Sequence, residues 1–137
     1  MALPITLMYA GFFGLFALYL AARAGSYRGK AGASILYGDP IDWELAERIR
    51  VHQNFLEYVP MLLILMGLIE AGGGSRTFLL VVGALLAIAR IAHLVGLKHD
   101  NMAHKGRAIG AGGTALLTAA CGLYALWLGV PAVAGNL

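Results

Sequence analysis

Arg50, Gln53, Asn54 and Glu57 recur every three or four residues within "ERIRVHQNFLEYVPMLLILMGLIEA", a segment that otherwise reads as a membrane-crossing helix. At 100° per residue they fall within an arc of about 100°, forming a seam about 10 Å long on one helix face. Tyr58 borders the seam and His52 points to another face. A charged side chain near a bilayer centre costs about 2.5 to 3.5 kcal/mol on insertion scales, so these groups must face protein or water. Arg90 and His93, three residues apart in "LLAIARIAHLVGL", offer a second polar surface at similar depth, and an Arg90–Glu57 ion pair is expected between the two helices. With Arg28 and Arg107 added, the inventory is mostly cationic. A guanidinium fork pairs carboxylate at two points, so the chemistry suited to this set is recognition of a small multivalent anion bearing carboxylates. The structural alternative is that Arg50 and Glu57 neutralise charges on neighbouring helices while Asn54 bridges them.

No set of His, Cys, Asp or Glu has metal-ligand spacing. His99 and His104 share a short loop, where solvated or headgroup-facing side chains are expected. No phosphate-cradling glycine loop is present, and the basic residues are interspersed with acidic ones, which excludes a nucleic-acid stripe. The single cysteine, Cys121, lies mid-helix, can form no internal disulfide and reads as core packing.

The elements that must position these residues are set by composition. Of 137 residues, 60% are hydrophobic, and the mean hydropathy is +0.77, far above ordinary soluble domains. The chain is therefore expected to be an all-α integral membrane protein of one domain. Met1 to Ala22 carries no charge and is long enough to cross a hydrocarbon core of about 30 Å. It lacks a basic leader segment, so it is read as a retained helix and not a cleaved signal. Four helices are predicted, over approximately 3–23, 43–71, 76–97 and 107–130, the second capped by Asp42 with Glu44 in its first turn and the last ended by Pro131. Tyr9, Tyr19, Tyr27, Tyr124 and Trp127 read as interfacial anchors, and Gly106 and Gly110 as small residues allowing close helix approach. Net charge is +3. Lys and Arg concentrate at the first and third connections, which places those connections in the cytoplasm.

At this point "RIRVHQNFLEYVP" resembles the signature of the MAPEG superfamily, the membrane-associated proteins of eicosanoid and glutathione metabolism. Arg50, Asn54, Glu57, Tyr58 and Pro60 meet its Arg-x-x-x-Asn-x-x-Glu-Tyr-x-Pro pattern, and the likeness extends through "YGDP" and "ARIAHLVGL", roughly Tyr37 to Leu97. It is most similar to the small bacterial branch. The resemblance implies a single transmembrane domain over 1–137, a left-handed four-helix bundle assembling as a homotrimer, with glutathione as co-substrate between subunits at the cytoplasmic side. It implies glutathione binding by Arg28 (with Arg23 as the alternative), Arg50, His52, Gln53, Asn54, Glu57, Tyr58, Arg90 and His93. It further implies a catalytic arginine at the start of the last helix, matched by Arg107. Leu97 stands where transferases of the family often carry tyrosine. The implied function is a glutathione transferase, with peroxidase activity as a second reaction, joining glutathione to a lipophilic small molecule in a bacterial inner membrane, surrounded by lipid. The rivals are a non-catalytic lipid-binding or structural bundle and a proton-coupled exporter using Glu57.

Overall fold

The computed structural model describes residues 2–135. Four helices follow one another: α1 (Pro4–Ala31), α2 (Trp43–Ala71), α3 (Arg76–Gly96) and α4 (Lys105–Ala134). No strand occurs among the described residues. All four are long and apolar enough to cross a membrane. α3 packs most extensively on α4 and α1 on α2, so the bundle is two helical hairpins laid together.

α1 runs past Arg23 to Ala31, since "AGSYRGK" holds no proline and its glycines are tolerated, and it stops at Gly32, whose φ of 63° is the left-handed conformation that glycine adopts without penalty. Its start has no side-chain cap of its own. Glu70, at the far end of α2, accepts from the backbone N–H of Ile5 (3.0 Å) and of Thr6 (2.8 Å), satisfying two otherwise orphaned donors. α2 begins at the predicted cap: the Asp42 carboxylate accepts from Leu45 N–H at 2.8 Å. Ser75 caps α3 through Phe78 N–H at 3.3 Å, and the His104 ring caps α4 through Gly106 N–H at 3.0 Å. His104 is therefore a capping residue and not simply a solvated one. Pro131 does not end α4, which continues to Ala134. Proline's fixed φ suits a helix, and its lost hydrogen bond falls in the last turns, where that loss is least disruptive.

The core is built from one face of each helix. Phe13 and Leu20 of α1, Phe55, Leu62 and Met66 of α2, Leu79 and Leu86 of α3 and Leu117 and Cys121 of α4 form one buried cluster. Phe55 meets Phe13 tilted and Phe16 edge-on at this cluster, and the exposed Phe12 abuts Phe13 edge-on. Cys121 is fully buried, as expected of a packing residue. α3 and α4 touch backbone to backbone: a Cβ on Gly106 would meet Ala92 O at 2.7 Å, and one on Gly110 would meet His93 Cα at 2.7 Å. Tyr9 also packs between helices. Its ring lies against Gly83 and its hydroxyl donates to Leu80 O at 2.8 Å. Tyr124 accepts from Ser75 N–H at 2.8 Å, tying the α2–α3 turn to α4.

Candidate functional site

The seam of α2 divides. Asn54 turns into the bundle and is buried, whereas Arg50, Gln53, Glu57 and Tyr58 stay exposed on the helix surface. Arg50 donates to Glu57 at 2.8 Å, one helix turn pair away on the same face, with both side chains about half exposed. The expected Arg90–Glu57 pair does not form. Arg90 is 2% exposed and donates instead to Asn54 Oδ1 (2.9 Å), to Gly110 O and to Thr114 Oγ1. The cause is helix rotation: α3 presents Arg90 to the α4 face that Gly110 opens, and Thr114, one turn on, donates to Gly110 O at 2.7 Å. No carboxylate pairs with Arg90 among the described residues. One guanidinium thus joins α2, α3 and α4 through neutral acceptors.

His93 is buried beside it, with the Arg107 backbone as a polar group close to its imidazole. The cations within electrostatic reach of this imidazole are Arg90, Arg107 and Arg50. His52 is half-buried, and neither it nor Gln53 makes a side-chain hydrogen bond among the described residues. Arg28 stands apart. Its guanidinium donates to Ser34 O (3.5 Å) and Leu36 O (3.2 Å), clamping the loop that follows α1. In the single chain it reaches none of the other candidates.

Arg50 and Arg107, on different helices, line one cleft of about 190 Å³ together with Trp43, Ala46, Glu47, Leu97, Lys98 and His99. The Arg107 side chain has no hydrogen-bond partner among the described residues. Glu47 does: it accepts from Lys98 Nζ (3.1 Å) and His99 N–H (2.9 Å), and its carboxylate lies 2.9 Å from His99 Nδ1. His99 also stacks on Trp43, with centroids 5.1 Å apart, so it is held in place while its side chain stays exposed, as expected. Glu47, His99 and Asp100 bring ligand atoms within 4.8 Å of one another, but the oxygens of Glu47 are already engaged. Sequence reasoning passed over Trp43, Glu47 and Thr114. The first two had a signal, because counting back from Arg50 by three, four and seven residues reaches Glu47, Ala46 and Trp43 on the same helix face.

Four membrane-length helices define a polytopic membrane protein, with a cleft lined by Arg50, Lys98 and Arg107 near the ends of α2, α3 and α4. The chain belongs to the MAPEG family, whose model matches residues 6–127. It is also 34% identical over 65 residues to two proteins described as Inner membrane protein YecN, from Escherichia coli strain K12 and from E. coli O6:H1 strain CFT073. Those residues are 47% of this chain and 50% of each relative, so the chain spans about half the length of the curated relatives it matches. No solved structure matches.

Proposed function

We propose that the chain is a membrane-bound glutathione transferase, working as a homotrimer in a bacterial inner membrane with its first and third connections in the cytoplasm. Family membership and the likeness to inner membrane proteins support this reading. The observation that carries it is the convergence of Arg50 and Arg107 on one cleft, with the Arg107 guanidinium unengaged. The unengaged Arg107 guanidinium, beside an Arg50 that is paired with Glu57, suits a dicarboxylate thiol. Glutathione, when bound, supplies a thiol as the nucleophile toward a lipophilic electrophile or a hydroperoxide.

The residues divide the work. Arg50, Gln53, Glu57 and Tyr58, exposed along α2, hold the tripeptide's backbone and terminal groups, with His52 reaching the site of a neighbouring protomer. Asn54 is oriented by Arg90: because its Oδ1 accepts from the guanidinium, its NH₂ group is left to donate elsewhere. Arg90 therefore serves through Asn54, and Arg28 serves by holding the loop after α1. Arg107 stabilises the thiolate. A free thiol titrates at about 8.5, and keeping it mostly ionised at neutral pH takes about 2.7 kcal/mol of preferential stabilisation. A guanidinium donating charge-assisted hydrogen bonds supplies that order.

The test uses the purified full chain in detergent. Calorimetry with glutathione to millimolar concentration is expected to give saturable binding, and its absence would sink the proposal. Arg107→Ala is expected to remove the thiolate absorbance of bound glutathione while helical circular dichroism is unchanged. A persisting thiolate signal would move that role to another residue. The second reading, a non-catalytic lipid-binding or structural bundle, is favoured by Leu97, which lines the cleft and can form no hydrogen bond. It predicts no turnover in a screen of aryl halides and hydroperoxides.

A further inference from the structure

The cleft has two kinds of lining. Arg50 and Arg107 supply cations, whereas Trp43, Ala46 and Leu97 supply apolar surface, and the Trp43 indole stacks on the His99 imidazole at an interplanar angle of 10°. The one acidic group in the lining, Glu47, is 11% exposed and held by Lys98 and His99. It therefore repels an anion weakly and fixes the aromatic pair in place. At about 190 Å³ the cleft has room for one substituted ring. Lys98 and His99 follow the end of α3, so the cleft lies at a connection end of the bundle and not midway along a lipid-facing surface.

We infer that this cleft binds a small, flat aromatic carboxylate, its ring against the Trp43–His99 pair and its carboxylate on Arg50 and Arg107. Aromatic faces prefer offset stacking, and guanidinium groups pair carboxylate in two-point fashion. A saturated acid of the same size and charge would gain only the second interaction. The inference goes beyond the glutathione reading and draws on the same cleft and the same two arginines, so the two ligands are expected to compete.

The probe is 4-nitrobenzoate, a quencher of indole fluorescence. The chain has two tryptophans, so Trp127→Phe leaves Trp43 as the only reporter. Saturable quenching is expected in that variant. In calorimetry, Trp43→Leu is expected to weaken 4-nitrobenzoate by about two- to tenfold, as is replacing the probe by cyclohexanecarboxylate. Should Trp43→Leu not fold, His99→Ala read by the same titration decides. Quenching that rises linearly without saturating, equal affinity for the saturated acid, or unchanged binding in the folded variants would overturn the inference. A parallel glutathione titration separates the two readings: loss of glutathione binding with retained nitrobenzoate binding overturns the transferase proposal alone.

Discussion

Asn54 holds together more of the bundle than its size suggests. It is the α2 acceptor for the Arg90 guanidinium, which is 2% exposed and has no paired carboxylate among the described residues. Removing that acceptor strands a buried charged donor, at a cost of about 1 to 3 kcal/mol or more. Asn54→Ala is therefore expected to lower the thermal midpoint in detergent by several degrees. Gln53→Ala, on the exposed face with no partner, is expected to leave it unchanged. Equal midpoints for the two variants would mean that Gly110 and Thr114 suffice for Arg90. The residue-level chemistry was only half legible in the sequence. The four seam positions on α2 follow from their spacing, but the partner of Arg90 depends on how α3 is rotated against α4, and no local pattern fixes that rotation. Arg28 illustrates the same gap, because its engagement with Ser34 O and Leu36 O depends on the path of the loop and not on the helix that carries it.

At the level of elements, the contact between α3 and α4 is made by glycines of unequal importance. A Cβ on Gly110 would meet Ala89 O at 2.9 Å and His93 Cα at 2.7 Å, rigid backbone that cannot step aside, whereas one on Gly112 meets nothing within 4 Å. Gly110→Ala is expected to destabilise by about 1 to 3 kcal/mol. Gly112→Ala should be neutral or gain up to about 1 kcal/mol from helix propensity. Unfolding followed by circular dichroism distinguishes them, and a stabilised Gly110→Ala would show that the two helices can separate freely. The small-residue spacing announced this contact in the sequence, as Asp42 with Glu44 in the first turn announced the start of α2. The ends of α1 and α4 were less legible. The charge on Arg23 suggested a boundary where a helix projecting beyond the hydrocarbon simply continues, and Pro131 suggested one where a proline is tolerated.

Over the whole molecule, hydropathy alone disclosed four crossings, and the four membrane-length helices agree with it. The orientation proposed from the Lys and Arg distribution has its own test. Thr77 and Met102 are both exposed, at the start of α3 and in the connection before α4. In a Cys121→Ala background, Thr77→Cys is expected to react with a membrane-impermeant maleimide in intact spheroplasts, and Met102→Cys only after lysis. The opposite pattern would invert the topology and put the Arg50–Arg107 cleft on the far side from cytoplasmic glutathione. The broad apolar surface left on the single chain, including Leu116, Leu123 and Trp127 of α4, suits either lipid or a neighbouring copy, and sequence composition cannot divide it between the two.

The brace from Glu70 to Ile5 and Thr6 also bears on biogenesis. Both of its ends belong to the first pair of crossings, so that pair can fasten itself in the bilayer while the ribosome is still making the third, in keeping with the rule that chains acquire structure from their N-terminal side during synthesis. Asn54 then waits in the half-built protein as the landing point for Arg90, and the arrival of that guanidinium couples the later pair to the earlier one.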